Sequence, residues 1–167
     1  MGQVISALIP GWPGSISRSA DDIVVAMPNR ESENDIAFGA PVWLSSDRKG
    51  VRNWVSGDTM DGFVGFAVRV PSKTPDAYPG GSMPDAGSRG SWKPGEPVDV
   101  LVRGCIVVQA AGAPQQGGQA YLNAATGMVT ASAGTNPANL ALTGCRFRKE
   151  TVAGSTAELV LTTRTTV

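Results

Sequence analysis

Apolar residues along this chain come in short runs separated by clusters of Gly, Pro, Asn, Asp and Ser. "DIVVAM" (22–27), "PVWLS" (41–45), "VRNWV" (51–55) and "FVGFAVRV" (63–70) precede "VDVLVRG" (98–104) and "CIVVQA" (105–110). "AYL" (120–122), "MVTA" (128–131), "LALTGCRFR" (140–148) and "AELVLTTR" (157–164) complete the series. Runs of this length between turn residues predict the strands of an all-β sandwich or barrel, and no segment carries a helical period. In "VDVLVRG", Val98, Val100 and Val102 share one face while Asp99, Leu101 and Arg103 share the other, so one face goes to the core.

Two predicted hairpin turns, "SSDRKG" (45–50) and "NAATG" (123–127), each end in a glycine able to take positive φ. They belong to stretches that align. Gly39 and Gly118 are separated by the same interval as Gly65 and Gly144, with "GAPVWL" facing "GQAYL" and "GFVGFAVR" facing "LALTGCRFR". The alignment predicts two copies of one β-unit.

Two segments fall outside the strand pattern. Residues 1–20 have no period and read as an extended arm ahead of a β-barrel domain at 21–167. Yet Val4, Ile5, Leu8, Ile9 and Trp12 are too apolar for a solvated tail and need a cover. Residues 71–97 form a long Pro/Gly/Ser-rich loop carrying Tyr78 and Trp92. Loops of such length are usually functional or disordered, and Tyr and Trp supply contact area at low entropic cost. The alternative is that both rings fold back onto their own barrel.

The 167 residues suffice for one full-sized domain. High Gly and Pro counts (21 and 12) fit many short strands joined by turns. Lys plus Arg and Asp plus Glu each number 14. There is thus no basic stripe of the kind that displaces phosphate counterions, and nucleic-acid binding is not expected. No apolar run approaches the roughly 18 residues that span a bilayer. The opening "MGQVISALIPGWPGSISR" lacks the charged and apolar regions of a secretory signal. It matches the short M-G-x-x-x-[ST] myristoylation pattern through Gly2 and Ser6, a match common by chance.

Candidate chemistry is sparse. The chain has no histidine, which removes Ser-His-Asp and Cys-His catalysis, His-containing zinc sites and His general bases. Cys105 and Cys145 both fall in predicted strands and read as reduced, buried thiols packing as small hydrophobes rather than as a bridge. Two acidic pairs remain, Asp58 with Asp61 and Asp21 with Asp22. A glycosidase needs two carboxylates at a set separation. Turn initiation before Phe63 is the simpler role for Asp58 and Asp61. Neither pair has the calcium-loop spacing, phosphate-binding glycine motifs are missing, and no catalytic residue, metal or cofactor is expected.

The order of features resembles that of the structural cement, or decoration, proteins of tailed-bacteriophage capsids. It runs "DIAFGAPVWL", "GFVGFAVR", the Pro/Gly/Ser loop, "WKPGEPVDVLVRGCIVVQ", "GGQAYLNAATGMVT", then "GCRF" and a last apolar strand. The resemblance covers residues 22–166. It implies a non-enzymatic barrel or jelly-roll-like virion protein, sitting as a homotrimer on the outer capsid surface and bridging neighbouring major capsid protein subunits. Ile5, Leu8, Ile9, Trp12, Tyr78 and Trp92 are then the expected partner contacts. Deleting residues 2–20 is expected to abolish capsid binding or trimerisation while the barrel still folds. Three other readings compete. A tail or head-tail connector protein would form rings or tubes, and a carbohydrate-binding module would need Trp43, Trp54, Tyr78 or Trp92 as an exposed platform. A two-carboxylate enzyme would depend on Asp58 and Asp61.

Overall fold

Eleven strands and one 3-10 turn make up the described part of the chain, which in this computed structural model is residues 11–71, 90–134 and 139–162. The strands are β1 (Ile16–Pro28), β2 (Ile36–Ala37), β3 (Pro41–Leu44), β4 (Val51–Arg52), β5 (Phe63–Ala67) and β6 (Ser91–Trp92). They continue with β7 (Pro97–Ala111), β8 (Gln119–Leu122), β9 (Val129–Thr130), β10 (Leu140–Phe147) and β11 (Thr156–Leu161). The all-β barrel expected from the sequence is present.

The barrel closes through β7-β9-β8-β10-β11 and back to β7. One contact in this ring is parallel, Ala110 and Ala111 of β7 against Val129 and Thr130 of β9; the others are antiparallel. Its interior holds Ile106, Val108, Ala120, Leu122, Leu142, Cys145, Phe147, Ala157, Leu159 and Leu161, all buried. β11 contributes Ala157, Leu159 and Leu161 to this interior.

The N-terminal half repeats this plan. The hairpin β3-β4 and the return strand β5 lie in the order β5-β3-β4, just as β8, β9 and β10 lie in the order β10-β8-β9. This is the duplication that the glycine alignment predicts. β5 pairs with β7, β7 with β1, and a single parallel bridge from Asn29 to Val51 joins the end of β1 to β4. The result is a second ring, less completely bonded than the first, that shares β7. Met27, Ile36, Val42, Val51, Val64, Trp92, Val98 and Val100 fill it. The spacing of the glycines is lost after β5 because residues 71–97 intervene in the first copy alone.

The two strands expected at 98–104 and 105–110 are one continuous strand, β7. Its first half completes one ring and its second half begins the other. Even-numbered Val98, Val100 and Val102 pack in the second ring, whereas even-numbered Ile106, Val108 and Ala110 pack in the first. The handover occurs at Gly104, whose φ of 128° lies where L side chains are strained. Opposite it, β1 carries register shifts between Arg18 and Ile23, a bulge that lets one edge strand follow the bend. On the outer wall of the second ring, Leu101 joins Trp43, Phe63 and Phe66 against the core of the first, which welds the rings into one body.

The arm also ends earlier than the sequence indicates. Residues 16–20, assigned to it above, are strand, and Gly14 and Ser15 already bond to β7: Gly14 N donates to Val107 O (2.7 Å) and Val107 N donates to Ser15 O (2.9 Å).

Candidate functional site

Of the residues expected to contact partners, Ile5, Leu8, Ile9 and Tyr78 lie outside the described residues. Trp12 is half-exposed, at 46%. It is held where the chain joins the barrel, because Pro13 and Gly14 pack against Gly39 with so little clearance that a side chain on either glycine would strike the other's backbone. The Arg69 guanidinium lies 6.0 Å from the Trp12 ring and 5.8 Å from the Phe38 ring, a cation–π contact with both. Arg69 backbone N–H donates to Gly14 O at 2.8 Å, fixing the same junction.

Trp92 is not a surface contact. It is 3% exposed, its Nε1 donates to Val68 O at 3.1 Å, and its ring meets Phe38 edge-on at a centroid separation of 6.1 Å. This ring folds back onto its own barrel, as the alternative reading had it. A short strand pair, β2 with β6, places it there through Ile36 opposite Trp92, a pairing between distant segments that composition does not reveal.

Beside the Trp12–Arg69–Phe38 stack, an apolar groove of about 150 Å³ runs between the two rings. Phe38, Ala40, Pro41, Gln109, Met128 and Val129 are among its walls. None of the residues lining it is charged, and Met128 is exposed at 44%. Its walls come from three separate segments, so no single stretch of the chain signals it.

The charged groups act locally. Glu158, on β11, is almost fully buried; its Oε1 accepts hydrogen bonds from Ser17 Oγ (2.9 Å) and Arg18 Nε (3.1 Å), with Arg148 Nε at 3.9 Å. These contacts tie the bulged part of β1 to the closed barrel. Asp22 Oδ1 accepts from the Cys105 N–H at 3.3 Å, and Arg103 pairs with Asp21 at 2.6 Å. Arg18, Asp21, Asp22, Arg103, Cys105 and Arg148 border a cavity of about 240 Å³ in which cations and carboxylates offset each other.

Cys105 and Cys145 are both buried and free. Cys105 faces Val160 and Cys145 faces Leu161 on β11, so the two lie two strands apart, roughly 9.6 Å. That exceeds the reach of a disulfide. Burial pushes the Cys145 thiol up to about 12, and the Cys105 sulfur has Arg148 Nη1 at 3.6 Å. Packing thus accounts for Cys145 and for most of Cys105.

Asp58 and Asp61 do not form a catalytic pair. Asp58 is clamped by Arg52, with Nη1 to Oδ2 and Nη2 to Oδ1 both 2.7 Å, and it also accepts the Val55 N–H at 2.8 Å. The Arg52 hydrogen bonds hold its carboxyl below the usual carboxylate range. Asp61 is exposed in the 3-10 turn. Because the folded pKa of Asp58 is depressed, the stability it contributes is present above its unfolded pKa near 4 and is lost as pH falls through the folded value. Asp58→Asn should cost about 1.5–3 kcal/mol at pH 7 and flatten the acid side of the stability profile. Urea unfolding of both proteins between pH 2.5 and 7 measures this; parallel acid limbs would refute the clamp. Among the described residues no group of three or more His, Cys, Asp or Glu is placed to hold a metal.

The aromatic platform of a carbohydrate-binding module is also not formed by the described rings. Trp43 is buried against Phe63 with its Nε1 donating to Thr59 O at 2.9 Å, Trp92 is buried as described, and Trp54 is half-buried against the core. A barrel with these features matches the family model described as structural cement protein (E217 gp24/Pam3 gp6) over residues 3–162. The chain belongs to this structural cement protein family. The cement fold is also found in a solved chain from the capsid of Myoviridae phage XM1, which superposes with a TM-score of 0.71 at 16% identity over 97% of this chain and 96% of that one. No curated protein is similar to the cement chain in sequence. At this identity the likeness is one of fold alone.

Proposed function

We propose that this cement protein is a non-enzymatic part of the virion. It attaches as a trimer to the outer surface of the assembled head, bridges neighbouring major capsid subunits and stabilises the shell. The observation that carries this reading is the family match across nearly the whole chain, residues 3–162. The physical mechanism is linkage: a protein that binds the assembled lattice and not its free subunits stabilises the lattice by mass action, and contacts repeated over the shell add avidity. The N-terminal segment, with Ile5, Leu8, Ile9 and Trp12, supplies the apolar contact area, and Tyr78 in the long loop adds to it.

Purified protein, sedimented alone and with expanded capsids lacking it, tests the reading. The expected result is a trimer alone, saturable co-sedimentation at many copies per shell, and a higher temperature of shell disruption. Protein left in the supernatant at saturating concentration would sink the proposal. A monomer that still binds and stabilises would remove only the trimer.

A further inference from the structure

We infer, given the attachment proposed above, that the outer edge of β1 at Val24 and Ala26 is a vacant strand site, and that a short, extended, uncharged segment of a neighbouring major capsid subunit fills it on the shell. The first ring carries the same site already filled. Asn29, just after β1, makes a parallel bridge to Val51 of β4, as Ala110 of β7 pairs in parallel with Val129 of β9. Counting back three and five positions from those residues, Ala26 and Val24 stand where Val107 and Cys105 stand. Between and beside them, Val25 and Met27 pack inward in the second ring as Ile106 and Val108 do in the first. On β7 the outer edge is taken by residues 14–18. Gly14 N donates to Val107 O, Val107 N donates to Ser15 O, and Arg18 lies opposite Cys105.

Among the described residues nothing fills the equivalent edge of β1. Asn29 N donates to Glu96 O and Asn29 O accepts from Gly95 N, so the Asn29 backbone faces the β7 side. Backbone groups alternate along a strand. Those of Val25 and Met27 therefore also face β7, and the N–H and C=O of Val24 and Ala26 point away from it. Exposure agrees: Val107 and Cys105, at the filled site, are 0% and 8% exposed, whereas Val24 is 41% exposed and Ala26 is exposed. From Ile23 to Met27 the edge has neither the charge nor the proline that commonly keeps an unpaired strand from adding another. Beyond Pro28, β4 takes over the edge, with Arg30 N donating to Val51 O at 2.8 Å, so only a short segment has room. The first ring shows that such a segment fits beside a parallel neighbour, since residues 14–18 and β9 share one edge of β7. Main-chain bonding selects an extended partner, and apolar Val24 and Ala26 select an uncharged one. Every copy of this chain places its own residues 14–18 on its own β7, so the occupant comes from a different polypeptide, which on the shell is the capsid subunit.

The test compares the full chain with Ala26→Pro, each free and on expanded capsids lacking the protein. Proline is tolerated where a strand's N–H faces away from its neighbour, so the variant removes one donor from the vacant edge and none from the ladder with β7. Amide hydrogen exchange is read by mass spectrometry at single-residue resolution. In the free protein, Val24 and Ala26 are expected to exchange at least about 100-fold faster than Cys105 and Val107, and to slow by a similar factor on the shell. Ala26→Pro should melt within a few degrees of wild type and need at least about ten-fold more protein to saturate the shells. Wild type that attaches while Val24 and Ala26 still exchange fast would overturn the strand site and leave attachment standing; wild type that does not attach would overturn both. Slow exchange at these two amides in the free protein would show an edge already filled, by a second copy or by the chain itself, and would overturn the capsid occupant even if Ala26→Pro failed to fold.

Discussion

Replacing Gly65 with alanine should cost at least about 4 kcal/mol and leave little folded protein at 37 °C. Gly65 lies on β5 where Val42 faces it and the register slips by one residue. A β-carbon there would overlap the carbonyl oxygen of Leu101 and come within 2.9 Å of its carbonyl carbon. The obstacle is backbone of β7, the strand common to both rings, and backbone cannot rotate away as a side chain does. β5 would have to leave β7, taking Phe66 from Leu101 and exposing the wall at which the rings join. Overpacking of this kind belongs to the exceptional end of single-substitution effects. Gly57→Ala is the natural comparison. It has φ of 99° but nothing within 4 Å of the added carbon, so it should lose only the conformational cost of about 1–2 kcal/mol. Urea denaturation of the two variants decides the matter: a Gly65→Ala loss no larger than that of Gly57→Ala would refute the close-approach argument.

Gly65 also shows how the sequence can be informative and incomplete at once. Its spacing to Gly144 exposed the duplicated unit, because both return strands follow a hairpin of the same plan. Turn chemistry at 123–127 was legible for the same reason, with Gly127 at φ 69°, whereas at 45–50 the positive φ falls on Arg48 (55°) and not on Gly50. What escaped was decided by partners far along the chain. β1 was read as starting at residue 22 since "ISRSA" has no alternation, yet β7 pairs with Ile16 and Arg18, and buried Glu158 holds Ser17 and Arg18. Gly104 looked like the end of a strand; it is the handover point within one. Trp92 looked like a contact in a loop, and Ile36, Phe38 and Val68 instead enclose and bond it. The groove was invisible because no single segment builds it.

Removing residues 2–10 should abolish attachment to capsids while leaving the barrel intact. The cut at residue 20 suggested by the sequence would also take Ile16 and Arg18 from β7 and leave the buried Glu158 carboxylate without its two closest donors, so it would confuse unfolding with loss of binding. A cut after Pro10 keeps the Gly14–Val107 bond, the Trp12–Arg69 stack and all of β1. It removes Ile5, Leu8 and Ile9. Burying three such side chains at about 1.5 kcal/mol or more each amounts to roughly 4.5 kcal/mol, a factor of about 10³ in Kd at each site. Because the cut leaves every strand in place, the Tm should change by only a few degrees. Co-sedimentation with capsids lacking the protein, paired with a thermal melt of the truncated chain, reads both quantities. A truncated protein that saturates shells at the same concentration as the full chain would move the attachment surface away from the N-terminal segment. The exposed face of β1, where Ile16 and Val24 reach the surface, would then be the next to substitute. If binding is lost and the melt unchanged within those few degrees, the two roles separate cleanly: β7 and its two rings give the body its stability, and nine residues outside it give the body its place on the shell.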